Sequence, residues 1–356
     1  MSHPASVASE YYSQAFHGPY EVFDAGDFDL QNGGKLRNLK LAYSTMGTLS
    51  PAKDNAILFP SWYSGTSKIL EQAYAGSGRA LDPDKYFIIF ANQIGNGLST
   101  SPSNAPAAFA GSRFPAISIA DDVRAQHRLV TEHLGIRELQ LVLGGSMGAL
   151  QTYEWAARYP DVVKRAAPIA GTAKVTNHNA ALVETFMDAI KSDSAWDGGW
   201  YKKGIDVQRG LRNHARVFAA SGFTSMLFND EGWRSIGFTS VEDFLVGFVE
   251  GHFVPQDPNN LLTLLAKWRA GDVTHGTGAD LPTTLGRIKA KVFAIAIEED
   301  TFFPILDIER EQRLILYSDL KRVSSPWGHL ALFGVDPNYN RTIDGYLQEL
   351  LSTPVA

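Results

Sequence analysis

The stretch Leu139–Tyr159, LQLVLGGSMGALQTYEWAARY, contains the most informative pattern of the chain. Its apolar run Leu139–Leu143 has the length of a buried strand, and Met147–Tyr159 has the length and composition of a helix. Between them lies Gly144–Gly148 (GGSMG), a G-x-S-x-G sequence at a strand-to-helix turn. Such a turn exposes the serine hydroxyl, and its glycines allow strand and helix to approach closely. We therefore predict that Ser146 is a nucleophile; a Gly/Ser turn that only connects two elements is the alternative.

Short apolar runs alternate with amphipathic segments on both sides of this stretch. The predicted strands are Asn55–Phe59, Tyr86–Ala91, Leu139–Leu143, Val163–Ile169, Lys291–Ile297 and Lys321–Val323. The predicted helices are Ile119–Gly135, Met147–Tyr159, Ile305–Leu316 and Pro337–Leu351. This alternation is typical of an α/β protein with a mostly parallel sheet.

The alternation stops between Lys174 and about Thr284. In this part of the chain apolar and aromatic residues fall at helical spacing, and no run has the strength of the strands elsewhere. We predict a helical cap inserted into the core. The domain organisation is then a first part of the core at 1–173, the cap at 174–284 and a second part of the core at 285–356.

A serine nucleophile needs a base, and the base needs an acid that orients it. At a turn of this kind the acid and the base follow the serine in chain order, in loops after later strands. Asp300 follows the strand Lys291–Ile297, and His329 follows the last strand. We predict Asp300 as the acid and His329 as the base. The alternatives are Glu298 or Glu299 as the acid, a helix N-cap role for Asp300, and a structural role for His329.

Acyl transfer also requires two backbone N–H groups directed at the developing oxyanion. One is expected from Met147, directly after the nucleophile. The other is expected from the loop Pro60–Gly65 after the first predicted strand, where Trp62 is the best-placed residue.

Composition excludes several other classes of protein. The chain of 356 residues contains 32 Lys and Arg, 38 Asp and Glu and no cysteine. A net charge of −6 provides no basic surface for nucleic acid. The lack of cysteine excludes disulfides, Cys-ligated metals and a cysteine nucleophile. The N-terminal MSHPASVASEYYSQ lacks the features of a signal peptide, and no apolar run reaches the ~20 residues of a membrane span, so a cytoplasmic protein is expected.

Several segments resemble the homoserine O-acetyltransferase family, whose members have the α/β-hydrolase fold. They are GGSMGALQTYEWAARYP around Ser146, Ile119–Ile136, Asn92–Pro102, the loop EEDTFFP and the loop WGHLALF. The resemblance extends from about Tyr43 to Leu351. It implies an α/β-hydrolase fold with a mostly parallel central sheet and an inserted helical cap (lid) subdomain. It assigns Ser146, Asp300 and His329 to the same catalytic roles, and implies a homodimer formed through a cap that covers a deep tunnel.

The resemblance also suggests substrate contacts. Arg216 lies where the family carries an arginine that meets the carboxylate of the acceptor, although an ion pair within the cap is the alternative. Tyr63, in the predicted oxyanion loop, is a second candidate contact. In the stretch Asn259–Val273, the transferases carry a Met-Asp and further acidic residues facing the amino end of the acceptor, and Lys267, Trp268 and Arg269 stand there instead.

From these observations we predict a serine hydrolase that cleaves an ester, thioester or amide of a small molecule through an acyl-enzyme. No metal or cofactor is required. The alternative is an acyltransferase that moves an acetyl or acyl group to a small alcohol, with acyl-CoA as co-substrate. A non-catalytic ligand-binding protein of the same fold is a third possibility.

Overall fold

The computed structural model describes residues 10–355, and its core is one eight-stranded sheet. The strands are β1 (Glu21–Asp29), β2 (Lys35–Met46), β3 (Ala56–Pro60), β4 (Phe87–Ala91), β5 (Leu141–Gly145), β6 (Arg165–Ile169), β7 (Lys291–Ile297) and β8 (Ser318–Val323). Their spatial order is β1-β2-β4-β3-β5-β6-β7-β8. β2 is antiparallel to β1 and β4, and the remaining pairs are parallel. Most of the N-terminal segment used to predict the absence of a signal peptide lies outside the described residues.

The sheet is buried on both faces, as parallel sheets usually are. Along β3, Ile57 and Phe59 belong to one apolar cluster, whereas Ala56 and Leu58 belong to the other, on the opposite face. The mostly parallel sheet confirms the predicted α/β class. Each strand and helix predicted from the sequence is present, with ends that differ by a few residues.

The antiparallel pair β1–β2 is not among the strands predicted from the sequence. Its pairing is irregular between Asp24 and Gly26 and again between Gly26 and Phe28. Each irregularity changes which residues face the core, so Phe23, Ala25 and Phe28 are buried without a continuous alternation. The simple period of two, by which a half-buried strand is recognised, is therefore lost.

Thirteen α-helices surround or extend the sheet in the described residues. They are α1 (Gln14–His17), α2 (Ser67–Tyr74), α3 (Ile119–Arg128), α4 (Met147–Arg158), α5 (Asn177–Lys191), α6 (Gln208–Gly222), α7 (Ser225–Asn229), α8 (Val241–Phe244), α9 (Gly251–Phe253), α10 (Pro258–Arg269), α11 (Leu281–Leu285), α12 (Ile305–Gln312) and α13 (Pro337–Ser352). π-helical turns at Leu129–His133 and Leu245–Glu250 continue α3 and α8. Short 3₁₀ turns lie at Glu10–Tyr12, Gly111–Arg113, Ser194–Gly199, Gly204–Val207, Gly232–Ile236 and Gly328–Phe333. Within residues 10–355, no helix combines the length and apolarity needed to span a bilayer.

Residues 174–284, a range that the structure describes in full, contain α5 to α10, all of α11 except its last residue, and no strand. They enter the chain between β6 and β7, two neighbouring strands of the sheet. The insertion therefore leaves the parallel pairing of the core intact. The division into core and cap with these boundaries stays a prediction.

A buried ion pair joins α10, in this inserted region, to α3 of the core. The Lys267 ammonium donates to the Asp122 carboxylate and to the carbonyl of Ile94 (2.9 Å). Both charged side chains are fully buried, and Asp122 also accepts the Ile94 N–H at 2.8 Å. Burial lowers the pKa of Lys267 and raises the pKa of Asp122, while the opposite charge of the partner counteracts both shifts.

We expect Lys267→Met to lower the free energy of unfolding by about 3–5 kcal/mol, because it leaves an uncompensated buried carboxylate. The double variant Lys267→Met/Asp122→Asn should recover part of this loss, since the amide keeps an acceptor for the Ile94 N–H. Urea unfolding of the three proteins at pH 7 measures both effects. A single variant as stable as the wild type would show that the pair does not stabilise the junction of α10 and α3.

Candidate active site

The turn between β5 and α4 places Ser146 in a backbone conformation that few residues adopt. Its φ of 54° and ψ of −123° lie outside the regions favoured by L-amino acids, and its N–H donates to the Ile169 carbonyl at 2.9 Å. The strand and helix meet closely here, because a Cβ on Gly144 would lie 2.3 Å from the carbonyl oxygen of Gly148. A Cβ on Gly148 would lie 2.8 Å from the carbonyl oxygen of Pro60 on β3. Both glycines are therefore required by the packing around Ser146.

Ser146, His329 and Asp300 form a continuous series of hydrogen bonds. The Ser146 Oγ lies 2.9 Å from the Nε2 of His329, and the Nδ1 of His329 lies 2.7 Å from the Oδ2 of Asp300. The three residues are 3–5% exposed. With Nδ1 donating to the carboxylate, Nε2 is left as an acceptor for the serine proton, which is the tautomer a general base requires.

The second oxygen of Asp300 is also occupied. Its Oδ1 accepts the backbone N–H groups of Phe302 (2.7 Å) and Phe303 (3.0 Å). Asp300 therefore binds the turn that follows it and His329 at the same time, whereas the N-cap of the next helix, α12, is Pro304. Glu298 is exposed, and Glu299 binds the Ser324 hydroxyl and the Ser325 N–H, so neither alternative acid faces His329.

The two predicted oxyanion donors, the N–H groups of Met147 and Trp62, are both unpaired in the part of the chain that the structure describes. Within residues 10–355, neither the Met147 N–H nor the Trp62 N–H has an acceptor in the chain. Met147 is the first residue of α4. A Cβ on Gly145 would lie 3.4 Å from the Cε3 of Trp62, so the Trp62 ring packs beside the residue that precedes Ser146. Two unpaired N–H donors beside a serine are the groups an oxyanion hole needs.

The Tyr63 side chain is part of the packed interior. Its hydroxyl lies 2.9 Å from the Nε2 of His214 on α6, and the Nδ1 of His214 lies 3.1 Å from the Phe186 carbonyl. Since the carbonyl only accepts, Nδ1 donates to it and Nε2 accepts the Tyr63 proton. Tyr63 and His214 are both buried. This bond connects the predicted oxyanion loop to the inserted helices, and a substrate contact by Tyr63 stays a prediction.

Arg216, the other predicted substrate contact, makes ion pairs with two glutamates. Its guanidinium donates to Glu250 (2.6 Å) and to both oxygens of Glu242 (2.5 and 3.1 Å), and its side chain is 41% exposed. The pocket that Arg216 lines is also lined by Gln208 and Arg212, but not by Ser146, Asp300 or His329. The structure therefore supports the alternative role, an ion pair at the surface, because two carboxylates occupy its donors.

Aromatic side chains that were not predicted as site residues cover His329. The Phe302 ring lies 4.5 Å from the imidazole centroid to centroid, and Phe303 lies 5.7 Å from it. Phe302 in turn packs against rings from three inserted helices, at 5.4 Å from Phe186, 5.1 Å from Phe218 and 6.0 Å from Trp268. The position of Phe302, two residues after the predicted acid, was the only signal in the sequence.

The comparisons with known proteins agree with this geometry. The family described as alpha/beta hydrolase fold matches residues 64–334. The chain belongs to this family. It is 48% identical to an ethyl acetate hydrolase of Pseudomonas veronii, over 97% of this chain and 99% of that protein.

Two further relatives cover most of the chain. The solved structure of an acetylester hydrolase from Corynebacterium glutamicum has a TM-score of 0.95 and 47% identity, over 97% of this chain and 99% of that one. A homoserine O-acetyltransferase of Trichormus variabilis is 33% identical, over 85% of this chain and 86% of that protein. The protein is thus an α/β-hydrolase-fold enzyme of the serine hydrolase type, and the resemblance to homoserine O-acetyltransferases reflects a more distant relationship.

The buried His214 is expected to make stability depend on pH. Burial lowers the pKa of His214 from its usual 6.5 to about 3. Because the folded-state pKa is the lower one, His214 stabilises the fold fully above pH 6.5, and this contribution is lost as the pH falls from 6.5 towards 3. The expected loss is about 1.4 kcal/mol per pH unit.

The variant His214→Gln, whose amide can still accept from Tyr63 and donate to Phe186, should have a smaller slope by that amount. Urea unfolding of both proteins at pH 7, 6, 5 and 4 gives the two slopes. Their difference cancels the contributions of the other titrating groups, which both proteins share. Equal slopes would contradict the prediction.

Proposed function

We propose that this protein hydrolyses acetyl and other short-chain esters through an acyl-enzyme on Ser146. His329 is the general base, and Asp300 holds it in the required tautomer. The observation that carries this proposal is the buried series of hydrogen bonds from Ser146 to His329 and on to Asp300, at 2.9 and 2.7 Å. A protein that only bound a ligand would not need this arrangement.

In the first half of the reaction, the Ser146 Oγ attacks the ester carbonyl carbon while the Nε2 of His329 takes the hydroxyl proton. The charge that develops on the carbonyl oxygen is stabilised by the N–H groups of Met147 and Trp62. Asp300 stabilises the imidazolium that forms. Collapse of the tetrahedral intermediate breaks the bond to the alcohol, which leaves with the proton from His329.

In the second half, water replaces the alcohol. His329 takes a proton from the water, the hydroxide attacks the acyl carbon, and the carboxylic acid leaves as the proton returns to Ser146. Side chains, two backbone N–H groups and water suffice for these steps. We therefore propose that the enzyme acts on small molecules without a metal or cofactor.

The aromatic side chains beside His329 favour a short acyl group. The buried Phe302 ring occupies space next to the imidazole, and the buried rings of Phe186, Phe218 and Trp268 pack against Phe302. A separate cavity of about 430 Å³ lies between the 111–120 segment and α10, and no residue of the triad lines it. The relatives named as ethyl acetate hydrolase and acetylester hydrolase support the same choice of acyl group.

Transfer to homoserine is the less favoured function. In the transferases, the stretch that corresponds to Asn259–Val273 carries acidic residues that face the acceptor. Here it contains Lys267, whose ammonium donates to Asp122 and to a backbone carbonyl. Trp268, the next residue, is buried and donates to Asn179 at 2.7 Å. These side chains leave no free carboxylate at that position for an amino group. The homodimer and the cytoplasmic location stay predictions.

The nucleophile is tested directly with p-nitrophenyl acetate and a fluorophosphonate. We expect the wild type to hydrolyse the ester and to gain one adduct on Ser146, detected by mass spectrometry of the intact protein and its peptides. Ser146→Ala should lose both the adduct and at least about 10³-fold in kcat, because the covalent step is removed. Ser325→Ala, which removes a buried serine from the turn before His329, serves as a labelling control. Labelling at another residue, or a rate gain and acetylated product with homoserine and acetyl-CoA, would contradict the proposal.

The acyl specificity is tested with p-nitrophenyl acetate, butyrate and octanoate. We expect kcat/KM to be highest for acetate and to fall with each longer chain, because the rings beside His329 exclude a longer acyl group. Phe302→Leu should raise the butyrate-to-acetate ratio of kcat/KM by about 5- to 20-fold, of the order that one or two methylenes contribute in an apolar pocket. The ratio cancels any general loss of activity in the variant. A ratio unchanged by Phe302→Leu would show that Phe302 does not limit the acyl group.

A further inference from the structure

The peptide group between Ser61 and Trp62 is held by two glutamine side chains. The Ser61 carbonyl accepts the Nε2 of Gln93 at 2.8 Å and the Nε2 of Gln151 at 2.9 Å. Ser61 and both glutamines are 0% exposed. Gln93 follows β4, whereas Gln151 lies on α4, so two different elements bind the same carbonyl oxygen.

This carbonyl and the Trp62 N–H belong to one planar unit. The partial double bond of the peptide keeps the Ser61 C=O and the Trp62 N–H close to a common plane and, in a trans peptide, pointing in opposite directions. The chain contains no cis peptide bond in the described residues. Two hydrogen bonds that fix the direction of the carbonyl therefore also fix the direction of the N–H, which has no acceptor of its own within residues 10–355.

A third glutamine determines which end of the Gln151 amide faces Ser61. The indole Nε1 of Trp155 donates to the Oε1 of Gln126 at 2.8 Å, and the Nε2 of Gln126 donates to the Oε1 of Gln151 at 2.6 Å. An indole N–H can only donate, so Gln126 must present its oxygen to Trp155 and its NH₂ group to Gln151. Gln151 is then left with its NH₂ group for the Ser61 carbonyl. The direction of the whole series is determined by the indole.

Gln93 contributes a second contact to the same residue. Its backbone N–H donates to the Ser61 hydroxyl at 3.2 Å, so Gln93 binds both the side chain and the carbonyl of Ser61. Its own Oε1 is buried and has no partner among the described residues. A buried amide with an unpaired oxygen costs stability relative to an apolar side chain of similar size. Fold stability alone therefore does not account for a glutamine at this position.

We propose that Gln93 and Gln151 are positioning residues that aim the Trp62 N–H at the oxyanion, with Gln126 and Trp155 keeping Gln151 in the correct orientation. This inference rests on the proposed function, because it assumes that Trp62 donates to the oxyanion. Gln151 lies on the helix that begins with Met147, the other donor. The hydrogen bonds of Gln126 and Gln151 thus couple the direction of the Trp62 N–H to the helix that carries Met147.

The variant Gln151→Met tests this inference, because it keeps the length and volume of the side chain and removes the donor. With p-nitrophenyl acetate we expect kcat to fall by about 10- to 100-fold, less than the 10²- to 10³-fold typical when an oxyanion donor is deleted outright. KM should stay within about twofold, since the oxyanion forms only after the substrate binds. A trifluoromethyl ketone, which forms a tetrahedral adduct with the serine, should bind more weakly by the same factor as kcat falls.

Three comparisons separate positioning from loss of structure. Gln93→Met should lower kcat in the same way, and Gln93→Met/Gln151→Met should cost less than the product of the two single effects, because both side chains bind one carbonyl. Gln312→Met is the control. It removes an amide that donates to the Ser318 carbonyl at the start of β8, and the kcat of this variant should match that of the wild type. Melting temperatures of all variants measure any change in folding.

The outcomes distinguish this inference from the proposed function. A wild type without esterase activity, or a Ser146→Ala variant that keeps it, would overturn the proposed function. An active wild type whose kcat and trifluoromethyl ketone affinity are unchanged in folded Gln151→Met or Gln93→Met would overturn the positioning role alone. A fall in kcat that follows only the melting temperature, with Gln312→Met affected equally, would also overturn it.

Discussion

The close approach of β5, α4 and β3 at Ser146 is the constraint on which the rest of the site depends. The unusual backbone of Ser146 is kept because Gly144 and Gly148 let the three elements meet without side chains between them. The same approach brings the Trp62 loop, which follows β3, next to the first turn of α4. One packing requirement therefore positions the hydroxyl and both candidate oxyanion donors.

The parallel sheet supplies the remaining groups from distant parts of the chain. Strands β3, β5 and β7 end at the same edge, so the loops that follow them carry Trp62, Ser146 and Asp300 to one place, and the loop after β8 adds His329. The inserted helices lie between β6 and β7 in the chain, and they pack against the loops at this edge. They contact the site through aromatic rings and the bond from His214 to Tyr63, and they contact α3 of the core through the buried pair of Lys267 and Asp122.

Side-chain roles in this enzyme divide between reaction and support. The reacting groups are few, whereas a larger set of buried polar side chains holds backbone groups in place. Asp300 binds two backbone N–H groups as well as the imidazole, Glu299 binds the Ser324–Ser325 turn before His329, and the glutamines bind the Ser61 carbonyl. Except for the Oε1 of Gln93, which has no partner among the described residues, the side-chain groups that make these contacts are paired inside the protein, where an unpaired group would be costly.

The sequence by itself determined the α/β class, the positions of most strands along the chain, and the candidates Ser146, Asp300 and His329, because strand periodicity, the G-x-S-x-G turn and the chain order of the three residues are local or sequential patterns. Only the tertiary structure decided the β1–β2 pair, whose bulges hide the period of two, and the ion pair of Arg216 with Glu242 and Glu250. It also decided the burial of Tyr63, Lys267 and the glutamine series. Their roles depend on partners up to 151, 173 and 90 residues away, respectively, and no local pattern specifies which groups meet across such distances.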